Sequence, residues 1–192
     1  MQILVTNDDG INAPGLAALA ESMQGLGEVT VIAPDRNWSI SGHAKTFGRP
    51  LRIQPVDLLE GIMSWALDGS PADCVAFAML GFIKNDVDLV VSGINPHANV
   101  GSDVTYSGTV TSAFEGALFG RKSIAVSLDS TSPHNSPEEY VSAAETAAVV
   151  AKTVLSNDLP DKVVLNVNVP DRPYADLKGV QITRLGKRVY RD

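Results

Sequence analysis

The sequence is poor in the residues that build disulfides and zinc sites, with one cysteine and three histidines among 192 residues. A single cysteine excludes an intrachain disulfide, and the apolar run around Cys74 predicts a buried structural thiol. His43, His97 and His134 lack the short paired spacing of a tight zinc site. For His43 and His97 two interpretations stay open: a loop residue bonded to backbone, or a group that moves a proton or contacts phosphate. His134 is expected to be exposed.

Lysine and arginine are also scarce, 15 against 22 aspartates and glutamates, which gives a formal net charge of -7. This balance argues against a nucleic-acid polymer as a partner, because backbone binding depends on many Lys and Arg contacts. A local phosphate pocket is still compatible with the composition, since a metal ion and backbone N–H groups bind anions on an acidic protein.

Long hydrophobic runs are missing as well: no apolar stretch is long and unbroken enough to span a bilayer, and no secretory signal precedes the first one. We therefore expect a cytoplasmic protein with no membrane partner. The composition, 44% hydrophobic and 19% charged, is that of a globular chain, and the length fits a single domain over residues 1–192.

Short Val/Ile/Leu-rich runs alternate with longer helical stretches. The predicted strands are residues 3–6, 29–33, 63–67, 87–91, 123–127 and 163–167. The predicted helices are residues 14–26, 71–83, 109–119 and 138–155, with a proline suited to the first turn of the first two. Strands that are apolar throughout and separated by helices predict an α/β fold, a doubly wound, mostly parallel sheet with helices on both faces.

Three segments interrupt this alternation. Residues 35–55 are rich in Ser, Gly, Arg and Lys and predict a long loop or a β-hairpin excursion near the ligand crevice. Residues 130–137 predict a turn-rich surface connection. After Pro170 the sequence becomes polar and strand-like, ending at residues 185–188 without an obvious closing element.

Two adjacent aspartates, Asp8 and Asp9, follow the first strand directly. In an open parallel sheet the carboxyl ends of the strands form the ligand crevice, so these acids are expected to face a site. Paired carboxylates at such a point indicate a bound cation. The alternative is a turn in which Asp and Gly cap the next helix, although two adjacent like charges repel and a turn needs only one.

The loops after two further strands, residues 34–43 and 92–103, are dense in Ser, Asn, Gly and Asp. Oxygen ligands of this kind suit Mg²⁺ or Mn²⁺, for which two carboxylates, a Ser hydroxyl and an Asn carbonyl form a reasonable set. Ser107, Gly108 and Thr109 stand directly before a predicted helix. They predict either an anion cradle of unpaired N–H groups or an ordinary helix cap.

The combination of motifs resembles a known family, the survival protein SurE nucleotidases. The matching segments are LVTNDDGINAPG (4–15), APDRNWSISG (33–42), DGSPADCV (68–75), VSGINPHANVGSDVTYSGTVTSAFEG (91–116) and LNVNVP (165–170). The resemblance implies hydrolysis of nucleoside 5′- and 3′-monophosphates, and in some members of short polyphosphate, by one divalent ion, Mg²⁺ or Mn²⁺. It also implies a homodimer or homotetramer.

Carried over by position, the resemblance implies a metal-binding and catalytic centre. Its implied metal ligands are Asp8, Asp9, Ser39 and Asn95, the two aspartates being also catalytic. Around the phosphate it implies Asn99, Ser107, Gly108 and Thr109. The chain departs from the family at His97, where glycine is common, and is expected to lack the usual C-terminal extension.

Two other classes of protein also carry acids or loops at this edge of a sheet. A receiver-like signalling module binds Mg²⁺ with an acidic pair, and Asp35 is its candidate phosphorylation site, but the last strands offer no convincing lysine. A dinucleotide-dependent oxidoreductase needs G-x-G-x-x-G after the first strand, where this chain has Asn-Asp-Asp-Gly. Both classes fit the sequence less well than a phosphatase.

Overall fold

The computed structural model describes residues 1–186 and contains a seven-stranded sheet flanked by four α-helices. The strands are β1 (Gln2–Thr6), β2 (Glu28–Pro34), β3 (Ile53–Val56), β4 (Met63–Leu67), β5 (Leu89–Asn95), β6 (Lys122–Asp129) and β7 (Val164–Pro170). The helices are α1 (Pro14–Met23), α2 (Pro71–Phe77), α3 (Gly108–Leu118) and α4 (Val141–Ser156).

The strand order in the sheet is β3-β4-β2-β1-β5-β6-β7. Every pairing is parallel except that of β3 with β4. The α/β class with a mostly parallel sheet is therefore confirmed. Because β1 is central, its carboxyl end lies between the ends of β2 and β5, and the loops that follow these three strands meet at one edge.

Successive side chains of β1 point to opposite faces of the sheet and are buried on both. Ile3 and Val5 pack in the cluster that contains α1 and α4, whereas Leu4 packs with residues of α2. Helices thus cover both faces, as predicted. Gly15 on α1 shows how closely the layers approach, since a Cβ there would lie 2.4 Å from the carbonyl oxygen of Ile94.

The second helix is shorter than predicted. Ser70 and Asp73 form a capping box at its start, with Asp73 N donating to Ser70 Oγ (3.1 Å) and Ser70 N donating to Asp73 Oδ2 (2.9 Å). After Phe77 the chain widens into a π-helical turn, Ala78–Phe82, in which Gly81 has φ +115°. The predicted helix over residues 71–83 is therefore wrong at its end, because a backbone with positive φ leaves the helical region.

The hairpin expected within residues 35–55 lies further along the chain. Residues 35–52 form no helix or strand, and the hairpin is made by β3 and β4, joined by residues 57–62. Strand β3 was not predicted, because its sequence, Ile-Gln-Pro-Val, is short and not continuously apolar. Its proline also argues against a strand anywhere but at the edge of a sheet.

The strand character expected after Pro170 is not observed in the described part of the chain. A 3₁₀ turn, Tyr174–Asp176, is followed by residues 177–186 without regular structure. Cys74 is fully buried, as predicted, and burial raises the pKa of its thiol well above the usual value. None of the helices within residues 1–186 is long and apolar enough to cross a membrane.

Candidate active site at the carboxyl edge of the sheet

The loop after β1 is pinned by the fully buried side chain of Asn7. Its Oδ1 accepts a hydrogen bond from Gly10 N (3.1 Å), and its Nδ2 donates to Gly10 O (3.0 Å). Gly10 has φ +102°, and a Cβ there would lie 3.0 Å from the backbone of Arg36. This closed turn determines where Asp8 and Asp9 sit.

Asp8 is buried against the beginning of α3, only 4% exposed. Thr109 Oγ1 donates to Asp8 Oδ1 at 2.5 Å. Gly108 packs on the same carboxylate, and a Cβ at this position would lie 2.6 Å from Asp8 Cβ. The structure thus brings together Asp8, Gly108 and Thr109, as the sequence predicted, and only glycine fits at position 108.

Asp9 has a buried carboxylate oxygen, Oδ2, that makes no hydrogen bond to any described residue. The other oxygen lies 3.4 Å from Asn37 Nδ2. Burial, followed by the charge of Asp8, raises the pKa of Asp9 to about 7. Burial also raises the pKa of Asp8, against the lowering effect of the Thr109 hydroxyl and of nearby backbone N–H groups. A buried and a half-buried acid side by side are costly without a compensating cation.

The loop over residues 35–52 lies across this edge. Trp38 N donates to Asp8 O at 2.7 Å, which brings the next residue, Ser39, to the end of β1. Ser39 is exposed, and its backbone N–H donates to Asn37 Oδ1 (2.7 Å). The backbone of this loop thus passes the end of β1 at Ser39, and the role of Ser39 as a metal ligand stays a prediction.

Two acids of the helices anchor the same loop. Glu115 on α3 is 4% exposed. It lies within hydrogen-bond distance of His43 Nε2 (2.8 Å) and forms an ion pair with Lys45. Asp73 at the start of α2 accepts from Thr46 N at 3.1 Å. His43 is thus bonded to a carboxylate of the scaffold and not to backbone, and its part in proton transfer or phosphate contact stays a prediction.

The loop after β5 forms the opposite side. Asn95 Nδ2 donates to His97 O at 2.5 Å, so its carbonyl oxygen, the atom that suits a hard cation, is not used in that bond. Asn99 is 8% exposed and lies against the ends of β6 and β7, where its Nδ2 donates to Ser127 Oγ (2.9 Å). Its backbone N–H donates to Asn168 Oδ1 (2.8 Å).

Ser107 caps α3, since its Oγ accepts from Val110 N at 3.2 Å. The capping interpretation is therefore observed, and the hydroxyl of Thr109 is already bonded to Asp8. Both hydroxyls have partners, so an anion at this turn would draw mainly on backbone N–H groups of the first helical turn.

A family model described as survival protein SurE matches residues 3–192. The chain belongs to the SurE family. A relative named 5′-nucleotidase SurE from Herpetosiphon aurantiacus is 49% identical over 100% of this chain and 74% of its own length. One from Geobacter sulfurreducens is 50% identical over 99% of this chain and 70% of its own. A crystal structure of SurE protein from Aquifex aeolicus shares 40% identity over 100% of this chain and 75% of that chain, with a TM-score of 0.89.

The residues at this edge of the sheet fit an oxygen-bound cation. No three His, Cys, Asp or Glu side chains come together as a metal site within residues 1–186. A cation here would rest on two carboxylates completed by neutral oxygens, which suits Mg²⁺ or Mn²⁺ and not zinc. The unpartnered Oδ2 of Asp9 is the observation that supports this fit. Membership of the SurE family also sets aside the receiver-like and dinucleotide-dependent alternatives.

Sequence reasoning missed several residues that shape the candidate site. Asn7 could have been found from the Asn-Asp-Asp-Gly order, which is typical of a side-chain-closed turn. Asn166 and Asn168 both donate to Asn99 O (2.8 and 3.1 Å), and their spacing of two places them on one face of β7. Glu115 gave no local signal, because its partners lie about 70 residues away.

His134 is not exposed as predicted. Its side chain is 8% exposed, its Nε2 lies 3.3 Å from Asp171 Oδ2, and its ring centroid lies 5.4 Å from that of Tyr140. His97 Nδ1 donates to Ser130 O at 2.9 Å, which confirms the backbone-bonded interpretation for this residue. The turn-rich segment over residues 130–137 therefore packs against the edge of the site.

Proposed function

We propose that this chain hydrolyses nucleoside 5′-monophosphates to nucleosides and inorganic phosphate with the help of one divalent cation, Mg²⁺ or Mn²⁺. The carrying observation is the pair formed by buried Asp8 and half-buried Asp9 beside the N-terminus of α3, with the buried Oδ2 of Asp9 lacking a partner within residues 1–186. The printed names of the relatives, 5′-nucleotidase SurE, support the same activity.

Asp8, Asp9, Ser39 and Asn95 would hold the cation. When bound, the cation neutralises the two carboxylates and polarises a phosphoryl oxygen. The chain itself supplies the remaining groups. Backbone N–H groups at the beginning of α3 and the dipole of that helix favour the negative charge of the transferring phosphoryl group.

Residues around the phosphate would be Asn99, Ser107, Gly108 and Thr109. Gly108 keeps the helix start within contact of Asp8, so phosphate and cation would share one small space. Asn99 is held by side chains of β6 and β7, which fixes it in place before substrate arrives. Such preorganisation lowers the cost of binding and of the chemical step. The same groups would act on nucleoside 3′-monophosphates and on the terminal phosphate of short polyphosphate.

The test is phosphate release from a panel of nucleoside 5′- and 3′-monophosphates and a short polyphosphate. Activity is measured after EDTA treatment and after Mg²⁺ or Mn²⁺ is restored. We expect EDTA to abolish turnover and Asp8→Asn and Asp9→Asn each to reduce kcat by at least about 100-fold, the scale of losing an electrostatic group of the site. Asp158→Asn, an exposed aspartate after α4, is the control and should leave activity unchanged. Turnover that survives EDTA, or normal turnover in both site variants, would exclude the proposal.

A further inference from the structure

A pocket of about 270 Å³ opens beside Asp9, between the beginning of α1 and the loop after β5. We call it the His97 pocket; its walls include Asp9, Pro14, Ile94, Pro96, His97 and Tyr140. Of these wall residues, only Asp9 has a role in the proposed hydrolysis. Since the pocket shares this acid with the candidate metal pair, whatever fills it lies next to the reacting phosphate.

Much of the wall of the His97 pocket is apolar. Pro14, Ile94 and Pro96 contribute aliphatic surface, and the ring of Tyr140, 3% exposed, closes the inner end. Tyr140 and Asp9 line the same pocket, and burial followed by the charge of Asp9 raises the pKa of the Tyr140 phenol to about 12. This combination of apolar walls with a few polar groups is typical of a small-molecule site.

His97 presents the ring that a ligand can reach. The residue is exposed, yet its imidazole is oriented by the hydrogen bond from Nδ1 to Ser130 O (2.9 Å). Its own carbonyl is held by Asn95 Nδ2. An aromatic ring fixed at the mouth of an apolar pocket is suited to stacking on another flat ring.

The charges around the His97 pocket disfavour an anionic occupant. Asp9 lies in one wall, and the nearby His134 is already paired with Asp171 at 3.3 Å. A second phosphate group would therefore meet a carboxylate in this wall. A neutral, flat ring avoids this repulsion.

The volume lies just below the range of about 300–1,000 Å³ typical of sites that hold a whole small molecule. It suits one ring system with the rest of the ligand outside. Building on the nucleotidase function proposed above, we propose that the His97 pocket receives the nucleobase of the substrate, stacked on the His97 imidazole, while the phosphate lies at Asp8 and Asp9. His97 is then a specificity-determining residue that contacts the base.

The experiment compares AMP with ribose 5-phosphate, which has the same phosphate and leaving oxygen but no base. Base–aromatic stacking contributes enough that His97→Ala should lower kcat/KM for AMP about 5- to 150-fold, with ribose 5-phosphate unchanged. His97→Phe keeps a flat ring and should retain the preference for AMP. His97→Asn keeps a hydrogen-bond donor without a ring and should lose it. Val100→Ala, an exposed residue of the same loop, is the matched control.

Equal losses with both substrates in His97→Ala would overturn the inference, since they would indicate a role at the phosphate or in the fold of the loop. Activity retained in His97→Asn but lost in His97→Phe would overturn it as well. Calorimetric binding of adenosine, which has no phosphate, tests the pocket without hydrolysis. If the wild type hydrolyses neither phosphate ester, the nucleotidase proposal fails by itself, and adenosine binding weakened by His97→Ala would still support the pocket. No binding of adenosine to the wild type would refute it.

Discussion

Replacing Asp9 by asparagine should stabilise the metal-free protein at alkaline pH. Asparagine has nearly the same shape but no charge, so the substitution removes a buried carboxylate whose Oδ2 has no partner in the described structure. It also removes the repulsion from Asp8. If the two acids served only as turn or cap residues, the same substitution would be neutral or destabilising.

The sign and size follow from the pKa of Asp9, raised from 3.8 to about 7 in the folded protein. Between these values the folded protein holds a proton that the unfolded chain has lost. The free energy of unfolding therefore falls as the pH rises through this window, and the full cost is present above it. The whole shift corresponds to at most about 4 kcal/mol, at about 1.36 kcal/mol per pKa unit. Because Asp9 is partly accessible to water, we expect Asp9→Asn to stabilise by about 1–3 kcal/mol at pH 8.

The assay is urea unfolding followed by circular dichroism at pH 4 and pH 8, in EDTA and in MnCl₂. In EDTA the difference between Asp9→Asn and wild type should be large at pH 8 and small at pH 4. In Mn²⁺ the wild type should become the more stable of the two. A cation at 100 times its Kd stabilises the wild type by about 2.7 kcal/mol, whereas the variant lacks one of the ligands and binds the cation less tightly. Asp158→Asn controls for a general charge effect. A variant less stable than wild type at pH 8 in EDTA would refute the reasoning.

Three further predictions concern single side chains. Gly108→Ala should abolish turnover and the Mn²⁺-dependent rise in Tm, because the new Cβ would overlap Asp8. The same overlap should lower the free energy of unfolding by about 1–3 kcal/mol. A fully active variant would contradict the contact. Glu115→Gln should release the loop over residues 35–52, because it weakens the contacts of Glu115 with His43 and Lys45. We expect faster proteolytic cleavage in this loop and a lower kcat/KM. Unchanged cleavage would show that these contacts are not needed to hold the loop. Cys74 should resist thiol reagents until the protein unfolds, because burial keeps it protonated and inaccessible; modification of the native protein would contradict this.

Much of the fold follows from local sequence patterns. Continuous apolar runs predicted six of the seven strands, because both faces of a parallel sheet are buried and leave little room for polar residues. The missed strand, β3, lies at the edge, where burial makes no such demand and Gln54 and Pro55 are tolerated. The long second helix was overpredicted because only the backbone shows that Gly81 has positive φ.

The candidate site likewise has a part that the sequence predicts and a part that only the packed structure shows. By itself the sequence determined that Asp8 and Asp9 stand at the end of a buried strand, since neighbours in the chain need no fold to bring them together. Only the tertiary structure decided that Thr109, 101 residues away, bonds to Asp8 and that one oxygen of Asp9 is buried without a partner among the described residues. The physical reason is that burial and long-range contact depend on how the layers pack. Two adjacent carboxylates favour a bound cation only once packing has removed the water that would otherwise solvate their charges.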